Sequence, residues 1–182
     1  MIKEQELNTL IELCKAGEKK AQQSIFDLYK DELFSICNRY ALSSSDAEDM
    51  FIEGFTQIFK KISLFSNGNF RSWVKRIMIN TCINSYHKEI RRRENEILVE
   101  EYSENVEIES KYKFSYEELQ CCLQQLKDQQ RIIFNMYAID GYKSKEIAEI
   151  LKINESSVRV EIHRSKLKLK DLLTQIEQNR KR

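Results

Sequence analysis

The chain has 182 residues, a formal net charge of +1, four Gly and no Pro, which allows one ordinary domain or two small ones. Few breakers and apolar residues at helical spacing predict an all-α protein. No run approaches the roughly 20 apolar residues of a membrane span, and the start MIKEQELNTL lacks the features of a secretory signal, so a soluble, cytoplasmic protein is expected.

In chain order, the first predicted helix carries Leu7, Leu10, Ile11 and Cys14 and stops near Gly17. A second carries Ile25, Leu28, Tyr29, Leu33, Phe34, Ile36 and Cys37. The polar run Ser43 to Asp46 caps a third, which aligns Ala47, Met50, Phe51, Gly54, Phe55, Ile58 and Ile62. The opposite face of that helix shows Glu48, Asp49, Glu53, Gln57 and Lys60. Asn67-Gly68 marks a loop, because Asn-Gly favours positive φ, and a fourth helix is predicted from about Phe70 to Arg93.

Charge is strongly segregated. From Lys60 to Arg93 nine basic residues meet one acid, Glu89, and seven Glu then follow between Glu94 and Glu109. The segment from Lys143 to Arg182 is basic again. Two cationic blocks split by an anionic spacer mark two places that could touch a polyanion, although solvated helix faces give the same pattern. The predicted organisation is a helical domain over 7–93, a linker over 94–112 and a second helical domain over 113–174, with a frayed end after it.

In the second domain, Tyr142 to Lys166 reads as a helix-turn-helix. Ser144 is the predicted cap of a short helix through Glu146, Ile147, Ala148, Ile150 and Leu151, and the chain turns at Lys152-Ile153-Asn154. Ser156 or Ser157 is the predicted cap of the next helix. With roughly 100° per residue, Val158, Ile162, Ser165 and Leu169 face the core. Val160, His163 and Arg164 then point outward, flanked by Arg159 and Lys166. An ordinary hairpin with a basic face remains the plainer alternative.

A second candidate surface lies in Phe70 to Lys88, where aromatic, basic and amide side chains are mixed. Aromatics stack on unpaired bases, cations hold phosphates and amides read base edges. Asn80 and Asn84 share a helix face, and Arg76 and Lys88 extend the line. The plainer reading makes Trp73, Val74, Ile77 and Cys82 core and the stripe merely wet.

Five Cys, at 14, 37, 82, 121 and 122, show no disulfide framework or zinc spacing and are expected to be buried and structural. No Gly-rich phosphate loop or nucleophile–base pairing is present. No enzyme, metal or cofactor is therefore expected.

Two separate segments resemble one family. Asp46-Ala-Glu-Asp-Met, Phe55 and Phe70-Arg-Ser-Trp-Val-Lys-Arg-Ile are similar to region two of the extracytoplasmic-function sigma factors of RNA polymerase. Leu126-Lys-Asp-Gln-Gln-Arg, Ser144-Lys-Glu-Ile-Ala-Glu-Ile-Leu and Ser157-Val-Arg are similar to their region four. Cys14-Lys-Ala-Gly-Glu and Phe26-Asp-Leu-Tyr fit the family's opening. The resemblance implies a promoter-recognising subunit whose partners are core RNA polymerase, through the beta-prime clamp and beta flap, and promoter DNA. An anti-sigma factor is a further candidate partner.

By matching position, the resemblance assigns Asp49 and Glu53 to polymerase docking. It assigns Phe65, the 66–69 loop, Arg76, Asn80, Asn84 and Lys88 to the melted minus-ten element. Ser157, Arg159, Val160, His163, Arg164 and Lys166 go to the minus-thirty-five element. Departures are Ile52, where the family usually has Gln; Lys127, in place of an opening Pro; and Val160-Glu161, where Ser or a basic residue is common. A stand-alone helix-turn-helix regulator and a helical protein-interaction module are the competing readings.

Overall fold

A computed structural model describes residues 4–93 and 114–180, with side chains for 4–88 and 114–180. The chain divides into two compact units, Met1–Ile90 and Arg91–Arg182. The linker expected over 94–112 lies outside the described residues. Among the described residues all regular structure is helical.

The first unit contains α1 (Glu4–Lys15), α2 (Lys19–Tyr40), α3 (Ser44–Lys61), a 3-10 turn (Ile62–Leu64) and α4 (Phe70–Arg93). Ser43 precedes α3, and its hydroxyl accepts from the Asp46 N–H at 3.1 Å, as the polar run predicts. Gly68 takes φ +97°, and Asn69 Oδ1 accepts from the Ser72 N–H at 2.9 Å. This loop therefore ends in a side-chain cap that aims the start of α4.

All four helices contribute to the first core, α1 through buried Ile11 and Cys14. Ile25, Leu33 and Cys37 of α2, Ile58 of α3, and Val74, Met78 and Cys82 of α4 are fully buried. Gly54 lets α3 close on α4, because a Cβ there would overlap Met78 Sδ and Cε. Met78 also accepts from Cys37 Sγ at 3.3 Å. Phe26, Phe34, Phe51, Phe55 and Phe59 form a chain of ring contacts between α2 and α3, with centroid distances of 4.7–5.9 Å. Leu28 departs from expectation: it is exposed, because Ile25 and Tyr29 already occupy the inner stripe of α2.

The second unit contains α5 (Tyr116–Gln124), α6 (Asp128–Phe134), a π turn (Asn135–Ile139), α7 (Ser144–Leu151) and α8 (Glu155–Arg180). Cys122, Leu123 and Leu126 pack against Leu169 and Leu172, with Leu173 and Ile176 at the margin. This apolar stripe carries α8 past the frayed end expected after residue 174. Arg180 Nη2 closes it with a 2.6 Å ion pair to Glu118, and the guanidinium carbon Cζ stands 5.6 Å from the Phe114 ring centroid.

Glu118 also belongs to a capping box: its carboxylate accepts from the Ser115 N–H at 2.8 Å, and its own N–H donates to Ser115 Oγ. The hydrogen bond from the Ser115 amide, then Arg180, holds its carboxyl below the usual range against partial desolvation. Cys14, Cys37, Cys82 and Cys122 are buried, but Cys121 is exposed, as adjacent helical positions diverge.

Candidate nucleic-acid interface

On α4 the apolar residues Val74, Ile77, Met78, Ile79, Cys82, Ile83 and Tyr86 turn inward. What remains outside is a line at four-residue steps: Arg76, Asn80, Asn84 and Lys88, all exposed. The helix thus presents two amides between two cations. Cations answer phosphate, and amides carry both a donor and an acceptor for base edges.

The aromatic part of this surface differs from expectation. Phe65, assigned by resemblance to base capture, is only 8 % exposed. Its ring packs 5.1 Å from Phe70 and 5.4 Å from Trp73, while Phe70 stacks on Trp73 at 5.6 Å and meets Tyr29 at 5.8 Å. This cluster seats the 66–69 loop on the start of α4, so burial of apolar surface takes the rings that solvent would otherwise see. Trp73 is half-buried, and Val74, Ile77 and Cys82 are buried.

The cationic character of α4 is also narrower than its composition. Arg71 holds Glu32 of α2 through Nε at 2.8 Å and Nη2 at 2.9 Å, and Lys75 reaches the same carboxylate at 2.5 Å. Partial burial pushes the Glu32 carboxyl up, but hydrogen bonds from Arg71 and Lys75 outweigh it and hold the group below the usual carboxylate range. These two cations are structural. No local spacing points to Glu32, which lies 39 residues before Arg71.

In the second unit α7 and α8 form the helix-turn-helix. The chain between them passes through Lys152 at φ +57°, ψ +41°, the left-handed conformation usually left to Gly. Buried Ile147, Ala148 and Leu151 of α7 meet buried Val158 and Ile162 of α8. Ser165 and Leu169 complete the inward face as the period predicts.

Both predicted caps shift. The N-cap of α7 is Lys143, whose N–H donates to Glu146 Oε2 at 2.8 Å, so Ser144 lies inside the helix. Helix α8 begins at Glu155, which puts Ser156 and Ser157 in its first turn.

Among the predicted contact residues of α8, Arg159 is exposed, and Ser157, Val160, His163, Arg164 and Lys166 are half-buried. Two of the cations are held by carboxylates on the same helix. Arg159 pairs with Glu155 at 2.7 Å, and Arg164 with Glu161 at 3.1 Å. Lys166 Nζ sits 5.6 Å from the centroid of the Tyr137 ring, a cation–π contact missed in the sequence. The Glu pairs were legible, since i,i+3 and i,i+4 neighbours meet on a helix.

On α3, Asp49 and Glu53 are exposed on the outward face, and Glu53 Oε1 accepts from Gln57 Nε2 at 2.7 Å. They form a surface separate from the α4 stripe in kind as well as place, being anionic. Among the described residues no group of three His, Cys, Asp or Glu side chains converges as a metal site.

Comparison with known proteins agrees with this division. The sigma-70 region 2 family matches residues 25–93, and the sigma-70 region 4 family matches residues 116–169. The chain is 28 % identical over 166 residues to the ECF RNA polymerase sigma factor SigE of Mycolicibacterium smegmatis, covering 86 % of this chain but 64 % of that protein. It is 27 % identical over 176 residues to the ECF RNA polymerase sigma factor SigW of Bacillus subtilis, covering 90 % of this chain and 94 % of that one. The sigma factor RpoE of Bartonella quintana, solved in complex with the anti-sigma factor NepR, shares the fold at a TM-score of 0.53 and 16 % identity, covering 84 % of this chain and 96 % of that one. With region 2 matched in the first unit, region 4 in the second, and named relatives along most of its length, the chain belongs to the extracytoplasmic-function sigma factors of RNA polymerase.

Proposed function

We propose that this sigma factor initiates transcription by holding promoter DNA at two places while bound to core RNA polymerase. Each unit supplies a different kind of contact. The α4 line of Arg76, Asn80, Asn84 and Lys88 takes the melted minus-ten strand: the cations hold phosphates and the amides read unstacked bases. Phe65 supports that surface from beneath and does not itself stack on a base. Helix α8 enters the major groove at the minus-thirty-five element, using Ser157, Arg159, Val160, His163, Arg164 and Lys166.

The Glu155 and Glu161 pairs matter to this mechanism. Free in solution, Arg159 and Arg164 are partly neutralised by their own helix, so binding exchanges a carboxylate for a phosphate or base. That exchange weakens duplex binding by the free chain, and the phosphate contacts that do form make it salt-dependent. Polymerase supplies the missing affinity by carrying both units to one promoter, which raises the effective concentration of the second contact. Docking on polymerase falls to Asp49 and Glu53 at the beta-prime clamp and to the second unit at the beta flap.

The observation that carries the reading is the presence of two helical surfaces, each with outward cations, one in each sigma-family match. An anti-sigma factor, such as the one bound to the Bartonella protein, is a partner within the same proposal, as is a cytoplasmic place of work. No helix among the described residues is long and apolar enough to cross a membrane. The test is transcription in vitro with purified core polymerase on a promoter library. Transcripts from a defined promoter set are expected only when chain and core are combined; a binding-competent chain that yields none overturns the proposal.

A further inference from the structure

Glu161 is an odd neighbour for DNA, because its charge repels phosphate. It flanks the outward strip of α8, with buried Val158, Ile162 and Ser165 at i−3, i+1 and i+4 and Arg164 at i+3. The Ser165 hydroxyl donates to the Glu161 carbonyl oxygen at 2.7 Å, which ties this turn to the buried side of the helix. The Glu161 side chain is 17 % exposed, and its Oε1 accepts from Nη1 of Arg164, itself 34 % exposed, at 3.1 Å. The Glu155–Arg159 pair is far more open, at 39 % and 71 %.

The two pairs respond differently when DNA draws the Arg away. Around Glu155, water replaces the lost donor. Glu161 is largely desolvated, so the loss of Arg164 leaves its carboxylate short of donors at a real cost. Phosphate cannot offset that cost, but a base edge can. In the major groove the guanine of a G·C pair offers N7 and O6 as acceptors, and its cytosine offers the N4 amino group beside them. Arg164 and Glu161, adjacent on one helix, carry the matching set of donors and an acceptor.

We propose that Glu161 and Arg164 together read one G·C pair of the minus-thirty-five element, Arg164 donating to guanine and the Glu161 carboxylate accepting from the cytosine N4 amino group. This deepens the placement of α8 in the major groove and rests on it. Glu161 thus determines specificity while lowering affinity for DNA in general. An A·T pair in the same orientation sets the adenine amino group against the guanidinium and thymine O4 against the carboxylate, a mismatch at both ends.

The experiment uses full-length chain bound to core polymerase. Selection from DNA randomised in the minus-thirty-five element locates the pair, as a G·C preference that Arg164→Ala removes. The cytosine of that pair is then replaced by 2-pyrimidinone, which lacks the 4-amino group. The parent is expected to lose affinity about tenfold, whereas Glu161→Ala binds the two DNAs alike. Replacing the guanine by 7-deazaguanine, which lacks the N7 acceptor, weakens both chains. Thermal melting confirms that Glu161→Ala folds, and the modified DNA tests the parent without any substitution.

If loss of the amino group costs the parent nothing, or costs Glu161→Ala equally, the cytosine contact is refuted while α8 stays in the groove. If Glu161→Ala raises affinity for every sequence alike and keeps the parent's base preferences, Glu161 only repels phosphate, and the proposal is again refuted. If selection yields no minus-thirty-five preference at all, the placement of α8 falls with it.

Discussion

Two residues show how a single side chain departs from its local expectation. Lys152 carries a Cβ in the left-handed region, where an L side chain costs roughly 1–2 kcal/mol. Lys152→Gly relieves that strain at the turn between α7 and α8, partly offset by the greater freedom of Gly in the unfolded chain. A gain of about 0.5–1 kcal/mol is expected, seen as slower hydrogen exchange of the α7 amides; unchanged or faster exchange would count against it. Glu32 is the second case, a carboxylate shared by Arg71 and Lys75. Its folded pKa is depressed, so its stabilisation is complete above the ordinary Glu value of about 4.3 and is lost as pH falls through the lower folded value. Glu32→Gln is expected to cost about 1 kcal/mol at neutral pH and to make unfolding of the first unit less pH-dependent across that acid range. Fluorescence of Trp73, the chain's single Trp, reports both effects. An unaltered acid limb would show that the ion cluster contributes nothing.

At the scale of the element, α4 and α8 carry different side chains on a similar plan. Both bury one face in a core and leave cations on the other, yet α4 adds amides at Asn80 and Asn84, where α8 adds carboxylates at Glu155 and Glu161. Amides suit unpaired bases, whose edges are free to accept and donate. Replacing both Asn80 and Asn84 by Ala is therefore expected to slow promoter opening about tenfold or more, each lost base contact costing roughly 1 kcal/mol, with little change in closed-complex affinity. Permanganate footprinting of unpaired thymines beside a binding titration separates the two steps. An equal fall in both would mean that the stripe merely holds DNA and does not read the melted strand.

For the whole molecule, the proposed mechanism needs two units of modest affinity in one chain. Under that proposal, joint binding depends on covalent connection as much as on either surface. A protease site placed within 94–112 and cut after polymerase loading is expected to lower promoter-dependent initiation at least tenfold at limiting concentration, with recovery when the released halves are supplied in excess. Persistent full activity after cleavage would show that each half is held by polymerase alone.

Helical class, the two-unit order and the inward faces of α3 and α8 were legible because they rest on periodicity and composition, which are local. The pattern Val158, Ile162, Ser165, Leu169 states its own face, and Ser43 and Asn67-Gly68 carry their own backbone chemistry. Tertiary packing decided the rest. It drew Phe65 and Leu28 to opposite fates, tied Arg71 and Lys75 to a carboxylate on another helix, and prolonged α8 to Arg180 through a partner on α5. Each of those outcomes depends on which distant groups compete for the same burial or charge, and a reading along the chain has no distance between residues far apart in sequence.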